Sequence, residues 1–102
     1  MLKLKPNCEN CDKDLSADSA DAMICSYECT FCCDCVDNVL ENVCPNCGGG
    51  FVRRPIRPNN EYRQGVSLKS HPASTERVLK PVDQAEHNNF KQPIVNIPPM
   101  QR

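Results

Sequence analysis

Nine cysteines carry the chemistry available to this sequence, and all of them lie between Cys8 and Cys47. They fall as Cys8-x2-Cys11, Cys25-x3-Cys29, Cys32-x2-Cys35 and Cys44-x2-Cys47, with Cys33 outside the pairing. Two thiolates separated by two residues can face one ion while the backbone between them turns its amides towards sulfur, which lowers the cost of gathering negative charge. Four such pairs supply two tetrahedral sites, so the expected ligands are Cys8, Cys11, Cys32, Cys35, Cys25, Cys29, Cys44 and Cys47. The last pair is the most diagnostic. In Cys44-Pro45-Asn46-Cys47-Gly48 the proline presets a turn dihedral, and the glycine can take a positive φ without steric penalty.

Other uses of paired cysteines fit less well. No βαβ pattern surrounds any pair, against a thioredoxin-like redox motif. The N-terminal MLKLKPNCENC lacks the apolar run of a secretory signal, and no stretch reaches transmembrane length. The chain is therefore expected in a reducing cytoplasm, with no membrane association and no disulfide scaffold. An odd thiol count cannot pair completely within one monomer. An iron–sulfur cluster would also use four thiolates. Zinc, as two ions, is the expected cofactor.

The elements that must position these thiols are small. In 102 residues with no tryptophan and 5% aromatics there is room for one domain and little apolar core, so metal cross-links are expected to supply the stability. Val36, Val39, Leu40 and Val43 follow helical spacing between the third and fourth pairs and must end before Pro45. Asp21-Ala22-Met23-Ile24 leads into Cys25 as a short strand, and Phe51-Val52 could add another. The expected fold is a small zinc-stabilised α+β module of treble-clef or RING-like type over residues 1–52, followed by a largely disordered tail over 53–102.

Charge and proline divide the chain at the same place. Residues 1–50 carry three lysines and nine acids, and residues 51–102 carry nine Lys/Arg and four acids, so the halves stand at −6 and +5. Seven of the nine prolines lie from Pro55 onward and interrupt any long helix. Within the tail, Ala73 to Leu79 could form a turn or two of helix. Phe90, Ile94, Val95, Ile97 and Met100 make an apolar cluster in an otherwise extended segment. Eight thiolates and two dications would take the first half to a formal charge near −10, so the basic tail should be drawn back onto it, or onto another copy, within a screening length of about 8–10 Å.

The order of knuckle, strand, thiols, helix and knuckle resembles a RING-type cross-brace, in which the first and third pairs share one ion and the second and fourth the other. Carried over by position, that resemblance implies one site of Cys8, Cys11, Cys32 and Cys35 and another of Cys25, Cys29, Cys44 and Cys47. Cys29 stands where RING domains usually place histidine. Spacing alone leaves open a sequential arrangement with Cys8, Cys11, Cys25 and Cys29 around one ion. LKLKPNCENCDKDL, ICSYECTFCCDC, NVCPNCGG, RRPIRP and HPASTERVLKP together resemble a family of small bacterial cysteine-rich proteins of unknown function. That resemblance spans roughly residues 1–81, implies no activity, and implies that Cys33 is not a ligand.

A four-thiolate site is closed, and catalytic zinc keeps a position open for water. Both histidines, His71 and His87, lie in the second half. Gly48-Gly49-Gly50 lacks the lysine and helix start of a phosphate loop. No enzymatic activity is expected. The expected role is a zinc-binding, non-catalytic protein-interaction module with an unknown protein partner; the sequence does not fix an oligomeric state. The alternative is a nucleic-acid-associated regulator contacting phosphate through Arg53, Arg54 and Arg57, although only Tyr62 and Phe90 offer stacking. Ubiquitin ligation, which the RING resemblance raises, fits less well because the apolar helical stripe is committed to the core.

Overall fold

Cys25 and Cys29 sit at the mouth of a tight turn in the first half, and that turn organises the sheet. The Cys25 amide donates to the Cys29 carbonyl at 3.2 Å, the Glu28 amide donates to the Cys25 carbonyl at 3.0 Å, and Glu28 takes a left-handed φ of 65°. In the computed structural model, which describes residues 1–102, this turn joins β1 (Ala22–Ile24) to β2 (Thr30–Cys32). The two strands are antiparallel, with Ala22 opposite Cys32 and Ile24 opposite Thr30. Strand β3 (Val52–Arg53) adds antiparallel to the other side of β1, giving the order β2-β1-β3. The strand expected into Cys25 and the one expected near Phe51-Val52 are both present.

The helix expected from the Val36 stripe is present but wound as a π-helix over Cys35–Leu40. It ends at Glu41 and Asn42, both left-handed at φ 50° and 59°. The Glu41 and Asn42 amides both return to the Val36 carbonyl. This widened end is what carries Val43 back into the interior after a helix too short to reach it. Phe31 and Phe51 meet edge to face at the centre, with ring centroids 5.5 Å apart and planes at 82°. Leu15, Ala22, Val36 and Leu40 pack around them with the buried cysteines.

The second half departs from the expected disordered tail. Its radius of gyration places the chain with folded proteins: 14.6 Å, against about 13 Å for a compact chain of this length and about 30 Å unfolded. Residues 53–102 wrap the first half because their polar groups find partners on its backbone. The Ser74 amide donates to the Leu4 carbonyl at 3.0 Å, Lys80 to Glu9 at 2.7 Å, and Val82 to the Asn10 side-chain oxygen at 2.8 Å. The chain then enters α1 (Gln84–Lys91), where Asp83 caps the Glu86 amide, and α1 packs on the π-helix. The Ala73–Leu79 segment is extended rather than helical: its groups are spent on these crossings and on the Asn7 side chain, which bonds Val78. Helix begins instead after Pro81, where Asp83 can cap it. Phe90 lies in α1, and the Ile94–Met100 stretch forms turns and a short 3₁₀ segment over Pro99–Gln101.

Ion pairs join the halves: Arg77 with Asp12 and Asp14 and Lys91 with Glu41 run in the sense of the charge split, and Lys3 with Glu76 runs against it. These are largely exposed and add little individually. The stronger ties are arginines that donate to main-chain carbonyls. Arg54, 4% exposed, bonds Lys5 at 2.8 Å and Ser16 at 2.9 Å. Arg57 bonds Leu2 and His71, and Arg53 bonds Ala20. The three arginines expected to face phosphate are therefore engaged within the molecule, and Arg54 is buried.

Candidate metal centres

Each knuckle begins with a turn that its sequence makes inexpensive. Around the first, the Cys8 amide donates to Lys13 at 2.8 Å and the Asp12 amide to Cys8 at 3.0 Å, while Asp12 takes φ 66°. Around the last, the Cys44 amide donates to Gly49 and the Gly48 amide to Cys44, both at 2.8 Å, with Gly48 at φ 77°. At Gly48 a residue with a Cβ would be strained by this backbone conformation, so glycine is needed there.

These turns and the sheet gather the thiols into two clusters. The sulfurs of Cys8, Cys11, Cys32 and Cys35 all lie within 4.8 Å of one another, and so do those of Cys25, Cys44 and Cys47. The first pair thus meets the third, with Cys32 at the end of β2 and Cys35 opening the π-helix. Cys29 sits beside the second cluster, close enough for Cys25 and Cys44 to influence its thiol, although its sulfur falls outside the tightest grouping. Cys33 joins neither cluster. It is part-buried and faces Asp21, while its amide bonds the Asp21 main chain and side chain.

The distances suit a metal and not a disulfide. Cys11 and Cys32 sulfurs stand 3.7 Å apart. A tetrahedral ion with bonds of about 2.3 Å to thiolate needs an edge of about 3.8 Å, and a disulfide needs about 2.05 Å. No cysteine is in a disulfide. N–H donors already point at the sulfurs: Asn10 Nδ2 at Cys35 (3.2 Å), the Tyr27 amide at Cys25 (3.3 Å), Asn46 Nδ2 at Cys29 (3.4 Å) and the Gly49 amide at Cys47 (3.4 Å). Such donors stabilise thiolate rather than thiol, the usual outer shell of a metal ligand. The donor set therefore fits a thiophilic ion at each cluster.

Burial sets the thiols' acidity in the bare protein. It pushes Cys32 up to about 11, and pushes Cys35, Cys44 and Cys29 upward as well. At Cys11 the same burial is outweighed by the Lys13 amide and the neighbouring thiols, which leave it lowered. Burial, followed by the Asp21 carboxylate, raises Cys33.

Two residues with a part in the sites escaped the sequence reading. Asn10 and Asn46 are the knuckle interiors, and their role depends on where the side-chain amide points, which spacing does not encode. Asn10 also receives the Val82 amide, so it ties the second half to the first cluster.

A three-stranded sheet, a short helix and two clustered sets of cysteines define a small cysteine-rich α+β protein able to bind metal. The chain belongs to the DUF1272 family, described as protein of unknown function, whose profile matches residues 1–57. It is similar to an uncharacterized protein of Rhizobium meliloti (strain 1021), 59% identical over 81 residues that cover 79% of this chain and 89% of that protein. No solved structure matches it. No helix is long and apolar enough to cross a membrane.

Proposed function

We propose that this protein holds two structural zinc ions and serves as a non-catalytic protein-interaction module in a reducing, cytoplasmic compartment. The observation that carries the reading is the first cluster, four cysteine sulfurs within 4.8 Å of one another drawn from two pairs about twenty residues apart in the chain. Zinc is the ion this all-thiolate, redox-silent geometry favours, and four protein ligands leave no position for a reacting water. The second ion takes Cys25, Cys44 and Cys47, with Cys29 as fourth ligand after a small movement of its side chain. First-with-third pairing supports a RING-like cross-brace.

The surface that a RING-type ligase would use, between the first knuckle and the helix, is spanned here by residues 80–83 and α1, which weighs against ligation. A more accessible interaction face lies at the β3 edge, where Met1, Leu2, Ile24 and Val52 line a shallow hollow and Tyr27 is exposed. The nucleic-acid reading is weaker, since Arg53, Arg54 and Arg57 are occupied by carbonyls. Native mass spectrometry of the full chain expressed with zinc tests the proposal. Two zinc per chain supports it, and one ion, none, or iron overturns it.

A further inference from the structure

Helix α1 borders a partly open cavity of about 230 Å³ over the interiors of both knuckles, with Glu9 from the first, Pro45 and Asn46 from the last, and Lys80–Phe90 along its other side. Phe31, Phe90 and Pro81 give it apolar walls, and Glu9, Asp83, Glu86 and Lys80 line it beside them, with Asp83 also capping the Glu86 amide and Lys5 paired to Glu9. Glu9 is the telling residue. It is only 6% exposed, and its Oε2 accepts from the Thr30 amide at 2.5 Å and from Lys5 Nζ at 3.0 Å. Its Oε1 has no protein donor, which leaves a nearly buried carboxylate oxygen open to a ligand. His87 lines the same wall, but its unpartnered nitrogen is shut off from the cavity. Its Nε2 meets the Leu40 carbonyl at 3.1 Å, so Nε2 carries the hydrogen and Nδ1 a lone pair, sealed and without a partner.

An unpaired carboxylate oxygen calls for a donor-rich ligand, and three carboxylates against Lys80 and the Glu9-bound Lys5 leave an excess of negative charge that selects a cation over an anion. We propose that this cavity binds a primary ammonium group carried on a short apolar stem, the ammonium on Glu9 Oε1 and the stem between Phe31, Phe90 and Pro81. The volume suits a stem of a few carbons. The chemistry is that of a free alkylamine or of a lysine side chain. The inference rests on the cavity and goes beyond the zinc reading.

The test is a two-dimensional amide NMR titration of the full-length, metal-containing protein with n-pentylamine, 1-pentanol, pentanoate and Nα-acetyl-lysine amide. Pentylamine is expected to shift the Asn10, Asn46, Val82 and Phe90 amides saturably, with pentanol and pentanoate far weaker. Glu9→Gln should weaken amine binding about tenfold, the effect of replacing a charge-assisted bond by a neutral one. Glu86→Gln, on the rim, should weaken it less, and supplies the comparison if Glu9→Gln does not fold. Binding of pentylamine without the lysine amide points to a free amine as the natural ligand, and binding of the lysine amide, with or without pentylamine, to a partner's lysine; either supports the proposal. No saturable shift with either amine, equal shifts with pentanol, or a Glu86→Gln protein and a folded Glu9→Gln protein that both bind like the parent would overturn it.

Discussion

Arg54→Ala should loosen the whole second half from the first. The guanidinium is buried without a carboxylate partner, and desolvation alone lowers its pKa. It persists because it satisfies two main-chain carbonyls, Lys5 and Ser16, from separate parts of the first half. Hydrogen bonds from a charged donor contribute about 1.5–3 kcal/mol each. Losing both also leaves two carbonyls unsatisfied, while relief of the buried charge returns part of the cost. A net loss of about 2–4 kcal/mol follows, a large share of the roughly 5–15 kcal/mol that such domains possess. Arg54→Lys should recover less than half, since one ammonium cannot fork to both carbonyls. Urea unfolding of metal-saturated parent and variants measures the loss, and hydrogen exchange locates it at the Leu4, Glu9 and Asn10 crossings. A loss below about 0.5 kcal/mol with unchanged exchange would refute the view that Arg54 clamps the two halves together, since surface changes lie in that range.

Other outcomes follow from the same contacts. Asn10→Ala removes the donor to Cys35 and the acceptor for Val82, and should weaken metal at the first cluster by about 10–100-fold in chelator competition, with Cys25 and Cys44 little affected. Cys33→Ser should keep the parent's metal content while Cys32→Ser loses or weakens one ion; the reverse would shift the ligand register. The Glu61 carboxyl, which accepts first from the Ser70 hydroxyl, then from Ser67 and the Gly65 amide, is held below the usual glutamate value. Its folded pKa is depressed, so its contribution is full above the unfolded value and is lost as pH falls through the folded one. NMR titration should place Glu61 below the usual glutamate value, with the 61–70 loop loosening only in that acid range. Oligonucleotide binding should be weak near physiological salt, because Arg54 is buried and Arg53 and Arg57 are tied to carbonyls; submicromolar binding with a steep salt slope would revive the nucleic-acid reading.

The cysteine framework was legible because knuckle spacing is local: Cys44-Pro45-Asn46-Cys47-Gly48 encodes its own turn, and Asp21–Ile24 its own strand. The Val36 stripe foretold a helix but not its π winding, which ends on Glu41 and Asn42 both turned left-handed, a conformation asparagine favours but glutamate does not announce. The second half was misread for a physical reason. Proline and low hydrophobicity exclude a core of its own, but they say nothing of order borrowed from another surface. Arg54, Ser74, Lys80 and Val82 are ordered by carbonyls and side-chain oxygens up to 72 positions away, and no periodicity records such partners. The cavity under α1 was hidden for the same reason, being built from Glu9, Asn46 and His87 only once the chain returns.

The central claim is that cysteine sulfur alone surrounds two metal ions in this protein. X-ray absorption at the zinc edge on the full chain measures it most directly. Four sulfur neighbours per zinc at about 2.3 Å are expected, with no nitrogen or oxygen shell. A nitrogen or oxygen neighbour at about 2.0–2.1 Å in a substantial fraction of sites would contradict it, because His87 or solvent would then hold a position assigned to a thiolate.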